Sequence, residues 1–109
     1  MPTVESVAAT IEREGQNVTF KRKAGTQTVS ATVKAFIRGY RPVEIGDGIQ
    51  QGDREMRVAT GALYYQGFPG QPKNPDRIEI EENTAVVMSA ELRFLRGEPC
   101  VYVIQVRGG

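Results

Sequence analysis

The chain has 109 residues, a formal net charge of +1, 39% hydrophobic and 25% charged residues, one cysteine and no histidine. At roughly 100–200 residues per domain it is a single domain, 1–109, with room for one modest core. The missing histidine excludes zinc sites of the usual His or Cys/His kind and nucleophiles built on Ser-His-Asp or Cys-His, and the lone Cys100 cannot close an internal disulfide.

Thr3 is placed as the N-cap of a helix over 4–14, in which Val4, Val7, Ala8 and Ile11 fall on one face. Glu5 suits the positive end of its dipole, and Gly15 is placed to end it. Residues 17–23 then alternate, with Val18 and Phe20 on one face and Thr19, Lys21 and Lys23 on the other. A turn at 24–26 leads into 28–38, the most regular alternation in the chain. There Val29, Ala31, Val33, Ala35 and Ile37 share one face, and Lys34, Phe36 and Arg38 lie on the other.

Residues 39–52 hold four glycines and one proline and predict an irregular loop, long for a compact domain. A strand follows over 53–59 with Met56 and Val58 inward, then a helical turn over 60–66 carrying Leu63 and Tyr64. The Pro/Gly-rich stretch 67–75 reads as a rigid crossing and 76–81 as a short strand. Glu82, Asn83 and Thr84 are expected to turn into a strand with Val86, Met88, Ala90, Leu92 and Phe94 inward. After a turn at 96–98, Cys100, Tyr102, Ile104 and Val106 face inward. Val101 and Val103 then form a second apolar face, covered by the helix or by another molecule. One helix and about six strands over 17–107 predict a mainly β fold, a small antiparallel barrel.

The small net charge hides a segregation. Residues 1–16 carry net −2, residues 17–41 carry net +6 with no acid, and residues 42–109 carry net −3. The basic block is either a solvated strand face or a contact for a polyanion or acidic partner. Phe36 between Lys34 and Arg38 could stack on a single-stranded nucleic acid, although packing under the helix or against a neighbouring subunit is the favoured expectation.

Gly46-Asp47-Gly48 lacks the Gly-Lys-Ser/Thr of a phosphate loop, and Asp47 stands too much alone for a calcium loop. Asp53 and Glu55 share a strand face and are expected to be exposed charge pairs with Arg54 and Arg57. No catalytic set, metal site or cofactor site is expected. The longest apolar run, 100–104, is far below the ~20 residues that span a bilayer, so no membrane association is expected. The start, Met-Pro-Thr-Val-Glu, shows no signal-peptide pattern, and the sequon Asn17-Val18-Thr19 reads as a chance match.

The segments Gln51-Gly-Asp-Arg-Glu-Met-Arg-Val-Ala59, Gly67-Phe-Pro-Gly-Gln-Pro72, Asp76-Arg-Ile-Glu-Ile80 and Tyr102-Val-Ile-Gln-Val-Arg107 resemble the head–tail joining (stopper, or head-closure) proteins of long-tailed phages and prophages. The Gly39-Tyr40 pair before an irregular loop and the N-terminal helix are also similar to that family. The resemblance implies a small barrel, made in the bacterial cytoplasm, that forms a ring in the virion neck beneath the portal–adaptor complex. Its partners would be other copies of itself, the adaptor proteins, the tail terminator and double-stranded DNA met without sequence readout. By position in the strand order, the channel loop would be Gly39, Tyr40, Arg41, Pro42, Val43, Glu44, Ile45, Gly46, Asp47 and Gly48. Lys21, Lys23, Lys34, Phe36, Arg38 and Arg41 would contact DNA or a neighbouring subunit. The alternatives are a small barrel that binds single-stranded nucleic acid, or another ring component of the neck or tail end.

Overall fold

The computed structural model describes residues 3–108; the expected chain start at Met1 and Pro2, and Gly109, lie outside the described residues. The element order is α1 (Val4–Glu14), β1 (Gln16–Ala24), β2 (Gln27–Gly39), β3 (Arg54–Ala59), α2 (Thr60–Tyr65), β4 (Arg77–Ile80), β5 (Asn83–Leu95) and β6 (Glu98–Gly108). The six strands close into an antiparallel barrel in the order β1-β2-β3-β6-β5-β4. Closure gives every strand two neighbours, which lets a short chain pair its backbone.

α1 starts where Thr3 caps it. The Thr3 hydroxyl accepts from the Ser6 amide at 3.0 Å, and the Ser6 hydroxyl accepts from the Thr3 amide at 2.8 Å, a reciprocal capping box. It ends at Gly15 for a reason of space. A Cβ there would stand 2.5 Å from the Ile11 carbonyl oxygen and 2.9 Å from that of Ala35, so the chain can enter β1 this close to β2 only as glycine. At the β1–β2 turn Gly25 adopts φ 67°, the left-handed region that a two-residue hairpin turn requires.

The barrel lumen is filled by Val18, Phe20, Met56, Val58, Ile78 and Ile104, all at or near zero exposure, with Ala31, Val33 and Ala35 of β2. Leu63 of α2 and Phe68 close one end, Phe68 meeting the Phe20 ring edge-on at 5.7 Å between centroids. A second cluster lies outside the barrel wall, where Ile11 of α1 packs with Ala59, Cys100 and Val101. Phe36 and Val103 join it, so the helix covers the second apolar face of β6. Each fully buried aliphatic side chain in these clusters is worth about 1.5–3 kcal/mol of transfer from water.

The structure corrects four expectations about the last strands. The turn before β5 falls at Glu81 and Glu82, and Asn83 and Thr84 already belong to the strand. At its start the inward residues are Ala85 and Val87, not Val86 and Met88. A register shift between Val87 and Ser89 then inserts one residue, and Ala90 packs on the lumen as expected. Phe94 is 59% exposed, because the β5–β6 hairpin runs beyond the barrel there. On β6, Ile104 and Val106 face the lumen, whereas a second shift between Arg93 and Phe94 turns Cys100 into the cluster under α1. Burial pushes the Cys100 thiol above its ordinary pKa.

Candidate assembly surface

Residues 39–52 leave the barrel at Gly39 and return at Arg54, and these two residues are strand partners. The loop between them contains a 3-10 turn, Pro42–Glu44, and a tight turn in which Gly46 and Ile49 exchange backbone hydrogen bonds of 2.8 and 3.0 Å. None of residues 39–52 is buried. Val43 is 86% exposed and Ile45 40%.

The loop is nevertheless held at two points. On its entering side, Arg38 donates from Nη1 and Nη2 to the two oxygens of Glu44, both at 3.1 Å, and from Nε to Glu55 at 2.8 Å. The Arg41 amide donates to Glu44 at 2.7 Å, and the Arg38 guanidinium stands 5.6 Å from the Tyr40 ring centroid. On its returning side, Asp53 accepts from Arg107 Nε and Nη2 at 2.8 and 2.9 Å, from Gln105 at 2.8 Å and from the Gln50 amide at 2.9 Å. Gln105 and Arg107 also donate to the Gly48 carbonyl at 3.0 and 3.1 Å. One buried carboxylate thus ties β3 to β6 and both to the loop.

These contacts set the charge states. The hydrogen bonds from Arg107 hold the Asp53 carboxyl well below the usual carboxylate range, and the same bonds, donated to Asp53, raise the Arg107 guanidinium. The hydrogen bonds from Arg38 bring Glu44 down to about 2. A carboxylate whose pKa is lowered by folding contributes above its unfolded value and loses that contribution as pH falls through the folded value. Attachment of the loop by Glu44 is therefore expected to persist at pH 4 and to fail near pH 2. A carbon-detected NMR titration of Glu44 checks this: its midpoint lies near 2, and moves back toward about 4.3 in Arg38→Ala.

Asp53 and Glu55 differ from expectation. They are buried, at 3% and 8% exposure, and of the two arginines expected as partners only Arg57 pairs, with Glu55. Glu55 is shared by Arg38 and Arg57, Asp53 is taken by Arg107, and Arg54 instead donates to the Gly108 carbonyl at 3.3 Å. Both oxygens of Asp53 accept from Arg107, and Glu55 Oε2 accepts from Arg38 and Arg57, an arrangement that suits a scaffold.

The basic block does not survive as a free positive face. Lys21 pairs with Glu79, Arg38 with Glu44 and Glu55, and Arg41 with Glu44 at 3.5 Å. Arg22, at an inward position of β1, closes a barrel end by donating to Asp76 at 2.9 and 2.6 Å and to the Pro69 and Gln71 carbonyls. Its guanidinium lies 4.7 Å from the Phe68 ring centroid. Among the described residues, Lys23 and Lys34 have no ion-pair partner. Arg38, Tyr40, Arg41 and Glu44 come together at the loop; Lys21 and Lys23 lie on β1, and Lys34 stands between α1 and α2. Phe36 is partly buried and packs against the cluster beneath α1.

The sequence reading missed the Arg22–Asp76 clamp and the Asp53–Gln105–Arg107 hub. The second carried a signal, since Asp53 and Glu55 and then Gln105 and Arg107 are spaced two apart on strands. Only the pairing of Arg54 with Val106 puts those spacings side by side. Among the described residues no helix is long and apolar enough to cross a membrane. Compared with protein-family models, curated proteins and solved structures, the chain matches none.

Proposed function

We propose that this chain is a head–tail connector, or stopper, of a long-tailed phage or prophage. Copies form a ring in the virion neck below the portal–adaptor complex, retain the packaged DNA and present a docking face to the tail. The observation that carries the reading is the 39–52 loop. It starts and ends on paired barrel residues, contributes no buried side chain, and holds Val43 in water between two ionic anchors. Such a loop adds nothing to the core, and its exposed apolar tip has a use once other molecules surround it. The charge balance fits the same role. Arg41 keeps 76% of its side chain exposed, and Lys23 and Lys34 are unpaired among the described residues, enough for passing contact with phosphates without sequence readout. A heavily basic lumen would slow the exit of DNA.

The test is removal of the gene from the phage or prophage that carries it. Electron microscopy is expected to show heads that have lost DNA or lack tails. Intact, infectious particles without the protein would contradict the proposal.

A further inference from the structure

We infer that copies of this chain join head to tail by pairing the free edge of β2 with the free edge of β5. Two strands overhang the closed barrel. β2 pairs with β3 only over 36–39, so among the described residues no strand pairs with 28–32 on the side away from β1. β5 pairs with β4 only as far as Val86. Just beyond, the 67–75 segment covers the edge: Asn74 donates to the Val87 carbonyl at 2.8 Å and Gln71 to the Ala90 carbonyl at 2.9 Å. Among the described residues, no strand pairs with 91–95 on the side away from β6. Because the Ala90 carbonyl faces that edge, the alternation of an antiparallel strand turns the amide and carbonyl of Leu92 the same way.

The placement of these edges selects the partner. In the strand order β1-β2-β3-β6-β5-β4, β2 and β5 stand on opposite sides of the barrel. Both overhangs project from the end closed by α2, the end opposite the 39–52 loop. A copy rotated about an axis along the strands brings its β5 antiparallel to its neighbour's β2. That is a heterologous contact, which closes a ring when the rotation allows. An unpaired strand edge is a template for such addition.

The side chains agree. Outside the 39–52 loop, the exposed large hydrophobic residues described are Phe94, on the β5 overhang, and Tyr64 and Tyr65 of α2. Tyr65 lines the groove that also holds Lys34 of β2, so aromatic side chains flank both edges. Centring the two free segments sets Ser30 opposite Arg93 and Thr32 opposite Glu91. The unpaired Lys34 then lies diagonal to Glu91, an attractive cross-strand neighbour.

The inference rests on the ring reading above for its purpose, but it is read out on the purified full chain. In the double variant Ser30→Cys/Arg93→Cys, both positions are exposed and Cys100 remains buried. Mild oxidation at high protein concentration is expected to give a ladder of dimers, trimers and larger species on a non-reducing gel. Each single variant is expected to stay monomeric. Adding Phe94→Ala is expected to cut the yield of the ladder about tenfold. A double variant that stays monomeric, a single variant that cross-links as well as the double, or a yield indifferent to Phe94→Ala would overturn the inference. A ladder with intact gene-deleted particles would defeat the neck role alone, and no ladder with DNA-losing particles would defeat this contact alone.

Discussion

Asp53→Ala is expected to lower the free energy of unfolding by about 3 kcal/mol, measured by urea denaturation at pH 7. Asp53 is 3% exposed and accepts four hydrogen bonds, from Gln50, Gln105 and twice from Arg107. Alanine leaves these donors facing a methyl group. The cost sits at the low end for a broken buried pair because Arg107 keeps 32% of its side chain in water. Against a total stability of about 5–15 kcal/mol for a domain of this kind, the loss is large. Removing both charges, as Asp53→Leu with Arg107→Met, is expected to restore most of it, since no buried charge is then left alone. A change below about 0.5 kcal/mol in Asp53→Ala, the size of an ordinary surface substitution, would show that the hub does not hold β3, β6 and the loop together.

The same hub shows where sequence reading stops. Residues 28–38 alternate without exception, and β2 forms with the expected face inward. The helix over 4–14 also forms as expected, because Thr3, its apolar stripe and Gly15 all act locally. Ala85, Val86, Val87 and Met88 are all apolar, so a period of two cannot say which pair faces the lumen, and the register shift after Val87 leaves no mark in composition. The pairs that define the candidate surface are further out of reach. Arg38 meets Glu55 across 17 positions and Arg107 meets Asp53 across 54. Each depends on the register between strands, which one sequence does not reveal. For the same reason a basic block evident along the chain is largely neutralised in space, by Glu79, Asp76, Glu44 and Glu55 from the acidic remainder.

Deleting residues 42–48 is expected to separate folding from function. The cut joins Arg41 to Ile49 and leaves seven residues between the paired Gly39 and Arg54, ample for a hairpin connection. It removes no buried side chain. Arg38 loses Glu44 but keeps Glu55, and Arg107 and Gln105 lose the Gly48 carbonyl but keep Asp53. Shortening the loop by half returns a little closure entropy, about 0.6 kcal/mol. Particles carrying the deletion are expected to lose DNA as completely as particles without the gene, since Val43, Glu44 and Ile45 are gone.

Six strands close on their own core and leave 39–52 outside it. Urea unfolding of the purified deletion variant tests this most directly. A single cooperative transition within about 1 kcal/mol of the parent chain is expected. A variant without a cooperative transition, or one destabilised by several kcal/mol, would place the loop inside the folding unit and contradict it.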